Sequence, residues 1–250
     1  MREIAPGVAI VPTVIANAYL VGDEASWVLV DSCTPGNERR IRRAAERRFG
    51  RGCRPRAILL THGHFDHAGS AGALADAWGV PICAHALEIP YLTGQAHYPP
   101  FDFSSPGFFT RLARFFPAAT VNLGSRVDEL RPGGAVPGLP DWETIETPGH
   151  TPGHVAFFRR ADGVLLAGDA VTTMNLDSFW STITRRRQVC RPPVPATMNW
   201  KDARRSVELL ARLRPAVIAA GHGLPLNGAA DELAQLAVGF VQPLARAAAM

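Results

Sequence analysis

Residues 61–69 constrain this chain more than any other stretch, because they place three histidines and an aspartate within six positions. The segment reads Thr-His-Gly-His-Phe-Asp-His-Ala-Gly and follows an apolar run, residues 57–60, that predicts a buried strand. Burying such polar side chains without partners costs on the order of several kcal/mol each. Imidazole and carboxylate groups are good ligands for zinc, iron and manganese. We therefore expect a metal-binding loop here, with a solvated histidine-rich loop as the alternative.

The composition predicts one globular domain over residues 1–250. The chain is 47% hydrophobic and 19% charged, which is enough apolar material for one sizeable core carrying an insertion. It has no run of 18 apolar residues and no signal-like N-terminus, so we expect a cytoplasmic protein that does not enter a membrane. The cysteines lack a C-x-x-C pair, which favours free thiols over disulfides or a thiolate zinc site. They are Cys33, Cys53, Cys83 and Cys190.

An arginine-rich run over residues 39–51 raises the question of nucleic-acid binding. It carries seven arginines, and its apolar positions Ile41, Ala45 and Phe49 are spaced by four, as on one face of a helix. A basic helix could contact nucleic acid, but a solvated helix face in an arginine-rich chain explains the same pattern. We favour the solvated face and do not expect nucleic acid as a partner.

The remaining pattern predicts strands alternating with helices. Strands are predicted at 10–21, 26–30, 57–61, 80–84, 142–146, 154–159, 164–167 and 216–220, and helices at 39–49, 70–78, 201–213 and 229–247. Two predicted strands, ending at Asp31 and Asp169, resemble each other and suggest two β-rich halves that face one another. Their polar strand ends would gather at one edge.

Residues 88–137 interrupt this alternation. They are rich in proline and aromatic residues and are too long for a connector in a compact domain. We interpret them as a lid or substrate-binding insertion, with a phenylalanine-rich helix over residues 105–116 packed on the core as the alternative.

Histidines and aspartates recur in loops bordered by glycine or proline, directly after apolar strands. Strand ends that converge on one edge are a rigid base for ligand sites. Seven such side chains are too many for one tetrahedral zinc and suit two metal ions that share a carboxylate. They are His62, His64, Asp66, His67, His150, Asp169 and His222.

The motifs T-H-G-H-F-D-H, T-P-G-H-T-P-G-H, A-G-D and G-H-G, in this order, resemble those of the metallo-β-lactamase superfamily. The resemblance spans residues 17–222 and implies an α/β fold, the four-layer αββα sandwich. It also implies roles for individual residues. His62, His64 and His150 would bind the first metal ion, and Asp66, His67 and His222 would bind the second. Asp169 would bind both ions. Asp31 would support the ligands from a second layer of residues behind them, and His154 would form hydrogen bonds without contacting metal.

The resemblance further implies a hydrolase with two divalent metal ions, for which we expect zinc, with iron or manganese as alternatives. A hydroxide held between the ions would be the nucleophile, and Asp66 would orient it and handle its proton. We expect a small ester, lactone or thioester substrate, and a homodimer is compatible with the sequence.

Other branches of the superfamily match less well. Related lactonases carry a tyrosine where this chain has Thr172, and glyoxalase II enzymes bind glutathione through basic residues of a C-terminal helical domain. Thr172, Phe108 and Phe109 are nevertheless our candidates for substrate contact. Three alternative functions remain. They are a nuclease or phosphodiesterase, an oxidoreductase resembling the mononuclear-iron persulfide dioxygenases, and a non-catalytic binding module.

Overall fold

The computed structural model describes residues 1–103, 107–113, 121–184 and 186–241. Most of the secondary structure in these ranges belongs to two sheets and to the helices that cover them. The first sheet contains β1 Arg2–Ala5, β2 Val8–Pro12, β3 Asn17–Gly22, β4 Trp27–Val30, β5 Ile58–Leu59, β6 Ile82–His85 and β7 Val127–Leu130. The second contains β8 Trp142–Glu146, β9 Val155–Arg159, β10 Val164–Gly168, β13 Val217–Ala220 and β14 Leu226–Asn227, and a separate hairpin pairs β11 Thr172–Met174 with β12 Arg187–Cys190.

The helices lie between these strands in sequence. They are α1 Glu38–Phe49, α2 Phe65–Ala68, α3 Ala71–Trp78, α4 Ile89–Leu92, α5 Phe108–Ala113, α6 Phe179–Thr184, α7 Trp200–Arg212 and α8 Ala230–Val238, with 3-10 turns at Gly124–Arg126 and Val194–Ala196. Among the helices so described, none is both long and apolar enough to cross a membrane.

The strand order places several polar loops at one edge. In the first sheet the strands lie in sequence order, and β4, β5 and β6 run parallel to one another. In the second sheet the order is β14-β13-β10-β9-β8, with β10 and β13 parallel. The carboxyl ends of parallel strands meet at the same edge of a sheet, where ligand sites form. The loops after β4, β5, β10 and β13 therefore lie where a site can be built.

Side-chain alternation along the strands produces the layers. In β4, Val28 and Val30 face the second sheet, whereas Trp27 and Leu29 face α1 and α3. In β9, Phe157 joins the layer between the sheets and Phe158 packs towards α7 and α8. Three apolar layers therefore separate four layers of secondary structure. The predicted αββα sandwich is confirmed.

The predicted single strand over residues 10–21 is wrong. The run is two antiparallel strands, β2 and β3, joined by a turn in which Thr13 bonds back to Ala16 through both its backbone N–H and its hydroxyl. No glycine or asparagine marks this turn before Asn17, so the apolar pattern continued through it. The C-terminal helix predicted for residues 229–247 spans Ala230–Val238, and residues 242–250 lie outside the described part.

The segment over residues 88–137 is not one insertion with a single character. Its end supplies β7, which pairs in parallel with β6 and completes the first sheet. The predicted phenylalanine-rich helix corresponds to α5, and residues 104–106 and 114–120 lie outside the described part. The interpretation as a lid therefore applies at most to the residues before β7, and for these it stays a prediction.

Candidate metal centre

The two sheets are bonded to each other at the edge where the histidine loops lie. The backbone N–H of Val155 donates to the carbonyl oxygen of Thr61 (2.9 Å), and that of Asn17 donates to the carbonyl oxygen of Gly221 (2.8 Å). Each bond joins a residue next to a histidine motif with a residue of the other half. The first bond holds the loop after β5 against the loop that carries His150, and the second holds the start of β3 against the loop that carries His222.

Three imidazole nitrogens form a tight first group. His62 Nε2 lies 3.1 Å from His64 Nδ1, which lies 3.0 Å from His150 Nε2. All three side chains are buried. Ring nitrogens at this spacing either share protons or surround a cation.

Asp66, His67 and His222 form a second group beside the first. His222 Nε2 lies 3.5 Å from Asp66 Oδ2, and His67 Nε2 lies 3.9 Å from the same oxygen. Asp169 stands between the groups, with Oδ2 at 3.1 Å from His222 Nε2 and 3.5 Å from His150 Nε2. The ligand atoms of each group lie within 4.8 Å of one another. The fold thus brings together all seven side chains that the sequence indicated.

The donor set fits divalent metal ions. His67 Nε2 and Asp169 Oδ1 are buried polar atoms without a hydrogen-bond partner, which is costly in a folded protein. Both point into the cluster, where they lie 3.4 Å apart. Imidazole nitrogens and carboxylate oxygens without other partners are the coordination that zinc, iron and manganese accept.

The pKa shifts of the histidines also indicate that the cluster attracts positive charge. Burial lowers the pKa of His62 and His150 well below the usual value and that of His64 to about 4. At His67 and His222 burial acts in the same direction, but the neighbouring carboxylates, Asp169 foremost, outweigh it and raise the pKa. The first group is therefore neutral at pH 7, and the second attracts cations.

Four of the imidazole rings direct Nε2 at the cluster, and each is oriented by a hydrogen bond from its Nδ1–H. The Nδ1–H of His67 donates to Asp31 Oδ2 (2.9 Å), and that of His222 to the carbonyl oxygen of Ile15 (2.8 Å). His62 and His150 use the hydroxyls of Thr61 (3.0 Å) and Thr197 (3.2 Å) in the same way. These bonds leave the four Nε2 lone pairs directed at the cluster.

Asp31 holds its position through an unusual backbone. Its φ is +57°, and that of Cys33 is +60°. Residues other than glycine rarely adopt this region of the backbone angles. Between them, Ser32 donates from its N–H and its hydroxyl to the carbonyl oxygen of His67. Local strain of this kind is retained where surrounding contacts over-determine it. Here it brings the Asp31 carboxylate against His67.

His154 lies behind the cluster and has no free nitrogen. Its Nε2 accepts the backbone N–H of Asp169 (2.9 Å), and its Nδ1 contacts the hydroxyl of Thr147 (2.7 Å). Both ring positions are used, so His154 aligns the loop that carries Asp169 and does not face the metal centre.

A small cavity opens onto the cluster. It has a volume of about 20 Å³, roughly the room of one water molecule. Five of its lining residues belong to the seven donors, namely His64, Asp66, His150, Asp169 and His222. The others form an apolar wall contributed by Ile15, Phe65, Phe101, Pro193 and Ala196.

The proposed substrate residues are placed differently. Phe108 is half-buried and packs against Phe179, with 5.1 Å between ring centroids. Thr172 lies in a second cavity of about 310 Å³, and of the described lining residues the two cavities share only Pro193. The side chain of Phe109 lies outside the described part. Phe101, which sequence reasoning did not select, faces the cluster instead. Its position in an aromatic segment was the one available signal.

These observations define a metal-binding αββα protein, and residues 11–222 match the family described as the metallo-beta-lactamase superfamily. The chain belongs to this family, a superfamily of metal-dependent hydrolases. It is 38% identical to the probable metallo-hydrolase YflN of Bacillus subtilis over 230 residues, covering 90% of this chain and 87% of that protein.

Two further similarities bear on the chemistry. The crystal structure of TTHA1623 in a di-iron-bound form superposes with a TM-score of 0.62 at 25% identity, covering 90% of this chain and 96% of that one. A hydroxyacylglutathione hydrolase of Methylobacillus flagellatus is 33% identical over 122 residues, which cover 48% of this chain and 36% of that protein.

Proposed function

We propose that this hydrolase binds two divalent metal ions, one at His62, His64 and His150 and the other at Asp66, His67 and His222. The observation that carries the proposal is that these groups share no residue, while Asp169 reaches both. Zinc is the proposed metal, and the di-iron form of TTHA1623 makes iron the main competitor. Such ions lower the pKa of a bound water and polarise a carbonyl group as Lewis acids.

The chain's own residues would then position the substrate and move a proton. Asp66 borders the cavity, and its carboxylate can accept the proton of the attacking water and pass it to the leaving group. The apolar wall keeps bulk water away and provides a surface for an uncharged substrate. Asp169 lies next to one histidine of each group, His150 and His222, and so would fix the position of the two groups relative to each other.

The cavity wall supports an ester, lactone or thioester over a phosphodiester. Enzymes that act on phosphates commonly neutralise the charge with arginine or lysine. Among the lining residues that the structure describes, neither type occurs. Phe101 and Phe65 suit a small apolar acyl group, and the partial similarity to a hydroxyacylglutathione hydrolase favours including thioesters.

The proposal is tested with zinc-, iron- and manganese-loaded protein on a panel of lactones, thioesters, phosphodiesters and β-lactams. We expect hydrolysis of a lactone, ester or thioester, and elemental analysis should give two metal ions per chain. Asp169→Ala should lose metal from both groups, because its carboxylate reaches both. Cleavage of phosphodiesters alone, oxygen consumption with a persulfide, or two ions retained by Asp169→Ala would each contradict the proposal.

A further inference from the structure

Glu88 is a fully buried carboxylate that does not belong to the seven metal donors. It precedes α4, at the start of the aromatic segment, and has no exposed surface. A carboxylate in such a place is costly unless its oxygens accept hydrogen bonds. Among the described residues, it forms no ion pair with a lysine or arginine. Its hydrogen-bond partners must therefore stabilise the buried charge.

Both oxygens of Glu88 bind backbone N–H groups of the metal-binding loops. Oε2 accepts the N–H of Gly63 (2.8 Å), which lies between His62 and His64. Oε1 accepts the N–H of Gly153 (2.8 Å), in the loop that carries His150. One side chain therefore ties together the two loops that supply all three histidines of the first group.

Tyr98 completes this arrangement from the aromatic segment. Its hydroxyl donates to Glu88 Oε2 and accepts from the N–H of Gly63 (3.1 Å). Its ring lies against His64, with 4.5 Å between centroids, and is stacked on Tyr91 at 4.1 Å. Burial and the neighbouring Glu88 raise the pKa of Tyr98, so the hydroxyl remains protonated and able to donate.

The two glycines are required by this close approach. A Cβ at Gly63 would come within 2.5 Å of the Tyr98 hydroxyl, and one at Gly153 within 2.9 Å of Glu88 Cγ. Contacts so short essentially never occur with real Cβ atoms. Tyr98 and Glu88 cannot easily yield, because Tyr98 is hydrogen-bonded to Glu88 and stacked on Tyr91, and Glu88 is fully buried. The glycines of the two histidine motifs thus provide docking positions for Glu88 and Tyr98.

We propose that Glu88 and Tyr98 are positioning residues that set the geometry and metal affinity of the group His62, His64 and His150, and leave the second group largely unaffected. The inference rests on the proposed two-metal function. It links the aromatic segment to the metal centre, because a shift of Tyr98 would be transmitted to His64 both through its ring and through Gly63. Phe101, three residues further on, lines the cavity, so a substrate that displaces this wall acts on the same segment.

The test is cobalt(II) titration of the chelator-treated protein, followed by absorption spectroscopy and competition with a chelator. His64→Ala and His222→Ala first provide reference spectra for loss of either group. In Glu88→Gln one N–H of the pair must face the new amide N–H₂, because glutamine offers a single acceptor oxygen. We expect Glu88→Gln to weaken binding at the first group by about 10- to 100-fold, as seen for residues that orient ligands. Its remaining spectrum should match that of His64→Ala.

Tyr98→Phe is the second variant and keeps both glycine bonds to Glu88. It should alter the cobalt spectrum of the first group with a smaller loss of affinity. Tyr91→Phe is the matched control, since it removes a hydroxyl from the partner ring and should behave as wild type. Glu143→Gln, which breaks an exposed pair with Arg160, controls for loss of a carboxylate.

The outcomes separate this inference from the proposed function. Wild-type affinity and spectrum in Glu88→Gln, or equal weakening of both groups, overturns the inference alone. If the wild-type protein binds only one ion, the two-metal function is wrong. The inference then survives only if the spectrum of that ion is the one assigned to the first group and Glu88→Gln weakens the binding of that ion. If Glu88→Gln does not fold, an unchanged spectrum in Tyr98→Phe overturns it.

Discussion

His154 illustrates how a single buried side chain makes the fold sensitive to pH. Its Nε2 accepts the Asp169 N–H and its Nδ1 contacts Thr147, so the ring has to stay neutral in the folded protein. Burial lowers its pKa from 6.5 to about 3, with a smaller opposing effect from Asp169. Protonation would put a donor against the Asp169 N–H and a charge in the interior. The folded state therefore resists a proton that the unfolded chain accepts.

We expect His154→Gln to flatten the pH dependence of stability. Between pH 6.5 and about 3 the unfolded chain carries a proton here that the folded chain lacks, so stability is lost as the pH falls through this window. One such proton changes the folding equilibrium constant roughly tenfold per pH unit. Glutamine can still accept the Asp169 N–H, and it does not titrate. Urea unfolding with a chelator present, at pH 4.5 to 7.5, measures the slope.

The exposed His97 provides the control for this experiment. His97→Gln makes the same exchange of side chains at an exposed position, so it measures the effect of the substitution itself on the slope. His62, His64 and His150 also resist protonation, so the variant retains part of the wild-type slope. A slope in His154→Gln equal to that of wild type would contradict the assignment.

At the scale of elements, α7 is anchored on the loop that carries His150. The carbonyl oxygen of Gly149 accepts the N–H groups of Met198 and Asn199, and the Asn199 side chain caps the helix. Gly149 has a φ of +130°, and a Cβ there would lie 2.2 Å from the backbone nitrogen of Ala203. The loop can approach the helix this closely only because residue 149 is glycine.

Gly149→Ala should therefore destabilise the fold and displace His150. The backbone conformation alone costs about 1–3 kcal/mol for a residue with a side chain, and the clash with α7 adds to it. Gly50→Ala is a matched control, because Gly50 also has a positive φ but no atom within 4 Å of a built Cβ. Denaturant unfolding should give a larger loss for Gly149→Ala. Equal losses would mean that the approach to α7 contributes nothing.

The aromatic segment yields a second prediction at this scale. Phe101 lines the small cavity that opens onto the histidine cluster, whereas Phe108 packs on Phe179 and does not line that cavity. Phe101→Ala should enlarge the cavity and shift the ratio of kcat/KM values towards bulkier acyl groups by about tenfold, the range expected for a change in an apolar pocket. Phe108→Ala should mainly lower the thermal midpoint. The reverse assignment of the two effects would contradict the observed lining.

The sequence predicted those elements whose signal is local. Each candidate metal donor lies in a loop that follows a predicted strand, so strand ends and candidate ligands could be located together. Glu88 could not be found in this way, because its partners Gly63 and Gly153 lie 25 and 65 residues away. The turn at residues 13–16 was missed because apolar residues continue through it, and β7 because its pattern is short and lies within the aromatic segment.

At the scale of the molecule, the candidate metal centre lies where the two halves of the sandwich meet. The first sheet supplies His62, His64, Asp66 and His67 from the loop after β5, and the second half supplies His150, Asp169 and His222. Backbone bonds from Val155 to Thr61 and from Asn17 to Gly221 cross the same junction. Metal ions there would hold both halves together, and their loss would leave two buried polar atoms, His67 Nε2 and Asp169 Oδ1, without a partner.

Removing metal should therefore lower the stability of the whole fold and not only its activity. A ligand that binds only the folded state at 100 times its Kd adds about 2.7 kcal/mol. In a chain of this size that corresponds to a shift of roughly 5–10 °C in Tm. Calorimetry with and without a chelator measures the shift, and added zinc should reverse it. Asp169→Ala should show a much smaller shift, since it has less metal to lose, whereas Glu143→Gln should respond as wild type does. A chelator-insensitive Tm in protein that elemental analysis finds loaded would mean that the halves are held together by packing alone.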